Sequence, residues 1–219
     1  MTPKARRLVV TKDGSPTFYN ERYGEHYHGT AGAAKESMVK FAEPCLKGLL
    51  DRDEIAILDI CFGLGYNTAA AIDLIRLRNP ACKITIIGLE NDEQVLEELQ
   101  DIEPGFENYA IIKEAAIAKR YDRHGISIEL LMGDARETIK TIEREFDAVF
   151  LQPFSPKSCP ELWTREFFLD IKRLMKPGAI MATFSCATEV RQNMRECGFI
   201  VKNGVIFGRK APSTLAVMP

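Results

Sequence analysis

The 219-residue sequence contains no apolar run near the ~20 residues needed to span a bilayer. It has no C-x-x-C pair and only three histidines, so a zinc site is not expected. The opening residues, MTPKARRLVV, are basic but lack the long apolar stretch and small-residue cleavage site of a secretory leader. No internal repeat, low-complexity tract or long linker interrupts the chain. These absences argue against a membrane, secreted or metal-dependent protein. They lead us to expect a cytoplasmic protein whose six scattered cysteines stay reduced, with Cys61, Cys82 and Cys186 as buried thiols.

What is present is an ordinary globular composition, 46% hydrophobic and 27% charged. The net charge of −2 is unevenly spread, with residues 1–50 basic, 51–156 strongly acidic and 157–219 basic again. A basic C-terminal third suits an anionic partner as well as it suits a solvated surface. Near the N-terminus, RRLVVTKDGSPTFYN reads as two short strands turning at Asp13-Gly14. Residues 33–49 read as a helix. From residue 55 strands alternate with helices: IAILDIC, KITIIGLE, GISIELLMGD, FDAVFLQ and AIMATFS are the strands. LWTREFFLDIKRLM reads as a helix stopped by Lys176-Pro177-Gly178, and FIVKNGVIFG and STLAVM as a closing pair with no helix between them. The pattern predicts a mostly parallel sheet covered on both faces, with an antiparallel hairpin at one edge. Ligands of such sheets bind beyond the carboxyl ends of the strands, near the point where strand order reverses.

Three successive strand ends carry polar chemistry. The first runs LDICFGLGYN, with Gly63 and Gly65 between strand and helix. It lacks the third glycine of a dinucleotide fingerprint, and a plain turn explains G-x-G about as well. The second ends at Glu90, where a carboxylate can accept from both ribose hydroxyls of a nucleoside. The third ends at Gly133-Asp134-Ala135, where a carboxylate and a backbone N–H can serve an adenine; Asp134 is equally a good helix N-cap. Together the three ends point to a nucleoside site. This order resembles the Rossmann-like S-adenosylmethionine-dependent methyltransferases, which implies a seven-stranded sheet and places Asp59 near the methionine part of the cofactor.

Three further stretches narrow the resemblance: YNERYGEHYHGTAGAAKESMVKF before the first strand, FSPKSCPELWTREFF after the fourth, and GVIFGRKAPSTLAV at the end. They look like the methyltransferase half of the bifunctional tRNA 5-methylaminomethyl-2-thiouridine biosynthesis family (MnmC), and more like its stand-alone members. The resemblance implies a small N-terminal hairpin-and-helix extension (residues 1–50) and a methyltransferase domain (51–219). It implies transfer of a methyl group from S-adenosylmethionine to the aminomethyl group of a tRNA wobble uridine, at the anticodon stem-loop. No flavin-type motif is present and the chain is short, so separate enzymes are expected to supply that amine. The implied cofactor contacts are Tyr27, Glu36, Asp59, Gly63, Gly65, Asn67, Glu90, Gly133, Asp134, Ala135 and Gln152. The implied catalytic positions are Gln152 and Phe154, and the implied substrate or RNA contacts are Tyr23, Lys157, Arg209 and Lys210.

Gln152 departs from the family, which usually has an aspartate in this loop. A glutamine cannot take the amine's proton, but its carbonyl oxygen can accept from the amine and orient it. Tyr23, Tyr27 and Phe154 are expected to form aromatic walls that favour the neutral amine, while Trp163 and Phe167 are expected in the core of the following helix. Further basic candidates for phosphate contact are Arg165, Arg191, Arg195 and Lys202. Three other readings stay open: an aminopropyltransferase related to spermidine synthase, a catalytically weak S-adenosylmethionine-binding module for tRNA, and a methyltransferase for a small amine or protein. No role is assigned to His26 or His28.

Overall fold

The computed structural model describes residues 6–219. The chain opens with β1 (Arg7–Val10), β2 (Pro16–Asn20) and β3 (Glu25–His26), which form a three-stranded antiparallel sheet. Thr11 and Ser15 close the first turn, where Gly14 takes the positive φ of +85° that the Asp-Gly pair predicts. A continuous helical segment follows: α1 (Ala33–Ser37), a π-helical turn (Met38–Ala42) and α2 (Glu43–Leu46).

The main sheet begins with β4 (Glu54–Ile60), then α3 (Tyr66–Arg78), β5 (Lys83–Glu90), α4 (Glu93–Glu98), α5 (Tyr109–Ala118), β6 (Arg120–Arg123) and β7 (Ile126–Met132). It continues through α6 (Ala135–Thr138), β8 (Phe146–Leu151), α7 (Arg165–Arg173), β9 (Met175–Thr183), α8 (Thr188–Glu196), β10 (Ile200–Asn203) and β11 (Thr214–Val217). The spatial order is β10-β11-β9-β8-β4-β5-β7-β6. β4, β5, β7, β8 and β9 run parallel, and the two edges are antiparallel. β4 pairs with both β5 and β8, so strand order reverses between β4 and β8. Every residue of β8 is buried, as a central strand covered on both faces requires.

Several expectations need correction. The sheet has eight strands rather than seven, because β6 adds an antiparallel edge beside β7. The helix after the fourth parallel strand is shorter than expected: Pro160–Trp163 forms a separate 3₁₀ turn, and α7 starts after Thr164, whose hydroxyl accepts from Phe167 N at 3.3 Å. Lys176-Pro177-Gly178 does not stop a helix; it lies in the irregular start of β9, where the register with β8 shifts. FIVKNGVIFG is a strand only to Asn203, and residues 204–213 form a loop. Cys82 is buried as expected, but Cys61 and Cys186 are half-buried.

The N-terminal segment is not a detached appendage. Phe18, Ala33, Phe41 and Leu46 are buried in the same apolar cluster as Ile57, Ile72 and Phe150. Tyr66 donates to Pro16 O at 2.7 Å, and Arg6 clasps Glu98 and Asp92 on the far side. Among the described residues no helix is long and apolar enough to cross a membrane.

Packing at the sheet centre leaves no spare volume at Gly88 of β5. A Cβ added there would lie 2.6 Å from Leu130 and 2.8 Å from Phe62. Gly88→Ala is expected to destabilise the fold by about 1–3 kcal/mol through overpacking, read as a lower denaturant midpoint with unchanged slope.

Candidate active site

Chain topology delivers the ends of β4, β5 and β8 to one cavity of about 440 Å³. Its floor is the loop after β4. Cys61, Gly63 and Gly65 all have positive φ there, and a Cβ on Gly65 would strike Ile112 and Phe62 at 2.5 and 2.7 Å. That position admits only glycine. The tight turn aims Gly63 N at Glu90 Oε2, 2.7 Å away, while Glu90 Oε1 accepts from Asn91 N and Asp92 N at 2.9 Å each. Burial raises the Glu90 carboxyl above its usual range, and these three donors act against that rise.

Beneath the floor, Asp59 is fully buried and accepts from Thr68 Oγ1 at 2.7 Å. Burial pushes its carboxyl up to about 7, against the hydrogen bonds from Thr68 and Asn67. Asn67 donates through Nδ2 to Gln152 Oε1 at 2.6 Å. Gln152 itself lines the cavity and donates through Nε2 to Tyr27 O at 3.4 Å.

The loop after β8 forms one wall. Phe154 stacks on Tyr23 with ring centroids 4.3 Å apart, and Tyr27 meets Phe154 edge-on at 5.2 Å. Burial holds the Tyr27 phenol well above its ordinary range, so it stays protonated. The loop is pinned at both sides. Glu25 of β3 accepts from Ser155 N (3.0 Å), Ser155 Oγ (2.5 Å) and Ser158 Oγ (2.5 Å). Trp163 Nε1 donates to Phe154 O at 3.0 Å. Two prolines and these anchors restrain the loop against the rest of the site.

The opposite end is charged. Lys40, 2% exposed, pairs with Glu36 at 2.5 Å, and Glu36 also accepts from Gly29 N at 2.7 Å. Lys40 lies on the π-helical turn, a local deformation often found at functional sites. The loop between β10 and β11 covers this end with Phe207, Gly208 and Arg209, and the Arg209 guanidinium lies over the Phe184 ring at 5.6 Å. His28 is buried beside them, stacked on Tyr66 at 4.7 Å, and its Nδ1 has no partner among the described residues. Burial draws its imidazole down to about 4, so it is neutral at neutral pH.

The structure therefore brings Tyr23, Tyr27, Glu36, Gly63, Glu90, Gln152, Phe154 and Arg209 to the cavity wall. Asp59, Gly65 and Asn67 sit behind it as support. Gly133, Asp134 and Ala135 lie outside the wall. Asp134 caps α6, accepting from Arg136 N at 2.9 Å, and pairs with the Arg136 guanidinium at 2.5 Å. Its local capping alternative is the one this structure displays. Lys157 and Lys210 are exposed beyond the mouth. Arg209 is exposed as well, with its guanidinium at the cavity mouth over the Phe184 ring. Arg191 binds Thr214, Asn203 and Ser213 and so braces the base of the covering loop, and Arg165 pairs with Glu196. Trp163 and Phe167 are buried, as a core role requires.

Sequence reading missed Lys40, Glu25 and Phe184. Only Lys40 carried a signal: a cation four residues after Glu36, on a helix whose neighbours Phe41 and Ala42 are buried.

Residues 97–219 match the family described as S-adenosyl-L-methionine-dependent methyltransferase. The chain is 32% identical over 216 residues to an uncharacterized protein of Methanocaldococcus jannaschii, covering 95% of this chain and 58% of that one. It is 30% identical over 210 residues to the bifunctional tRNA 5-methylaminomethyl-2-thiouridine biosynthesis protein MnmC of Aromatoleum aromaticum, covering 88% of this chain and 32% of that protein. The chain thus spans little more than half of one curated relative and about a third of the other. The crystal structure of MnmC2 from Aquifex aeolicus superposes with a TM-score of 0.85 at 35% identity, covering 99% of this chain and 73% of that one. A methyltransferase from Pyrococcus furiosus, at 15% identity and a TM-score of 0.51, shares the fold.

The Glu25 pin has a defined pH dependence. Burial alone would raise its carboxyl, but hydrogen bonds from Ser155 and Ser158 outweigh that and hold it below its ordinary value of 4.5. A depressed carboxyl stabilises above the unfolded value and loses that contribution as pH falls through the folded one. Trp163 is the sole tryptophan and reports on this loop. Glu25→Ala is expected to red-shift its emission at pH 7 and to cost about 1–2 kcal/mol of stability. The native protein should show the same emission change only below the ordinary carboxylate range.

Proposed function

Because the chain belongs to the S-adenosyl-L-methionine-dependent methyltransferases, in the group that includes MnmC2, S-adenosylmethionine is its cofactor, and we propose that it methylates the primary amine of an aminomethyl group on a tRNA wobble uridine. The carrying observation is the meeting of a nucleoside-type floor, Gly63 and Glu90, with the aromatic wall and Gln152 where strand order reverses.

The residues present fit the cofactor. A volume of about 440 Å³ lies in the range of small-molecule pockets. Glu90 offers a carboxylate to ribose hydroxyls, and Glu36 with Lys40 offers opposite charges to the amino and carboxylate groups of a methionine tail. The unpartnered Nδ1 of buried His28 is a further free valence at that end. When bound, the cofactor supplies an electrophilic methyl group on a sulfonium.

The protein's own contribution is orientation and desolvation. Methyl transfer to nitrogen needs a lone pair held in line with the methyl, and positioning alone supplies much of such a rate. Phe154, Tyr23 and Tyr27 wall the acceptor side. Their apolar surface disfavours the ammonium and so favours the reactive neutral amine. Gln152 stands at that wall and cannot remove a proton; the amine must arrive neutral or lose its proton to solvent. Arg209, stacked on Phe184, faces the base or its nearest phosphate, and exposed Lys157 and Lys210 contact phosphates outside the mouth. We assign residues 51–219 the methyltransferase fold and residues 6–50 the share of the acceptor site contributed by Tyr23, Glu25 and Tyr27.

The direct test uses labelled S-adenosylmethionine with tRNA that carries the aminomethyl uridine, beside the same tRNA lacking it, and identifies the product nucleoside. Transfer restricted to the modified tRNA is expected; equal labelling of both would rule the reading out. Glu90→Ala should weaken cofactor binding by about tenfold or more in calorimetry, since roughly 1.4 kcal/mol of hydrogen bonding is lost per decade. Lys157→Ala with Lys210→Ala should leave cofactor binding intact and weaken tRNA binding. The slope of log affinity against log salt should fall by about 1.5 for the two phosphate contacts removed.

A further inference from the structure

Gln152 is held by a run of hydrogen bonds that decides which of its two amide atoms is free. Tyr27 O is a carbonyl and can only accept, so the atom facing it at 3.4 Å is Gln152 Nε2. The reversed amide would set two carbonyl oxygens against each other. Gln152 Oε1 then faces Asn67, whose Nδ2 donates to it at 2.6 Å. Asn67 Oδ1, at the other side of that amide, has no hydrogen-bond partner among the described residues.

Oε1 is therefore already engaged in a short bond, while Nε2 keeps one hydrogen with no partner among the described residues. This reverses the simplest expectation for the position, that its carbonyl oxygen accepts from the substrate amine. We infer that Gln152 is a specificity residue that donates through Nε2 to a carbonyl-type oxygen beside the nucleophilic amine, held in that orientation by Tyr27 O and Asn67. The inference rests on the proposed function: in a uridine carrying an aminomethyl group at C5, the neighbouring ring carbonyl is such an acceptor. An aspartate here would accept from the amine and favour its protonated form. A glutamine that donates instead grips the ring and leaves the amine lone pair free. It also selects for acceptors in which amine and carbonyl sit side by side, and against simple alkylamines.

Gln152→Glu separates the two roles, because it keeps size and acceptor capacity and removes the donor. Gln152→Leu removes both. Methyl transfer to tRNA carrying the aminomethyl uridine is measured for the native protein and both variants, with S-adenosylmethionine affinity measured on each. Both variants are expected to lose about 10- to 100-fold in kcat/KM, Glu at least as much as Leu, with cofactor affinity unchanged. A Glu variant as fast as the native protein or faster would overturn the donor assignment, since the position would then accept from the amine. A native rate in the Leu variant, or a fall in cofactor affinity matching the fall in rate, would overturn it too. No transfer by the native protein would overturn the proposed function, and the inference with it, before any variant is compared.

Discussion

Level parallel pairing of three central strands is the constraint on which the site depends. β4 is in register with β8 up to Ile60 and Leu151, and with β5 up to Ile60 and Leu89. The ladder then continues one step past the strands: Gln152 N donates to Ile60 O at 3.1 Å, Phe62 N to Leu89 O at 2.9 Å, and Gly133 N to Glu90 O at 2.8 Å. Those bonds set Gln152, the Gly63 loop and Glu90 at one height. A one-residue slip would send each side chain to the opposite face of the sheet. The core on both faces forbids that slip, so the apolar packing that stabilises the fold also sets the positions of the polar groups.

The two ends of the sheet divide the work. At the end away from the cavity, Asp147 accepts from Ala56 N, Arg52 and Lys176 at 2.8–2.9 Å, tying β4, β8 and β9 together by a buried carboxylate whose oxygens are both engaged. At the cavity end the polar valences are less complete. Asp59 Oδ1, Asn67 Oδ1 and His28 Nδ1 are buried without partners among the described residues. Buried polar groups are normally satisfied, and exceptions call for an explanation. Of these, His28 lines the cavity, and Asp59 and Asn67 lie behind the loop that forms its floor.

How much of this was legible in sequence follows from how local each cause is. β4, β5 and β8 were readable because strands covered on both faces are continuous apolar runs. Glu90, Gly63 and Gln152 were readable because strand ends are local features. β6 was not read: its sequence RYDR buries only Tyr121, so an edge strand looked like a charged loop. Glu25 and Phe184 reach the cavity only through tertiary packing, which no local pattern encodes, and Lys40 showed locally only as a cation four residues after Glu36. Arg191 and Arg209 show the same limit from the other side. Both are cations of a basic C-terminal third, yet one braces a loop and the other lies over an aromatic ring at the cavity mouth. Asp134 had two local explanations, and the adjacent Arg136 supports the capping one.

The loop between β10 and β11 has a consequence for how the protein is made. Gly208 packs so closely on Ala31 that an added Cβ would come within 3.0 Å of it, and Phe207 lies under Lys35 and Lys40. The cavity is thus roofed by residues near 208 resting on residues near 31, with every strand of the main sheet except β11 between them in sequence. On the ribosome, the parallel core up to β9 can assemble while the chain is still being extended, but the roof cannot close until the final strands have emerged. Ligand binding is therefore poorly placed to assist the early steps of folding. The nascent domain has to reach its fold on apolar contacts of high sequence separation, a slow route by the usual relation between topology and rate.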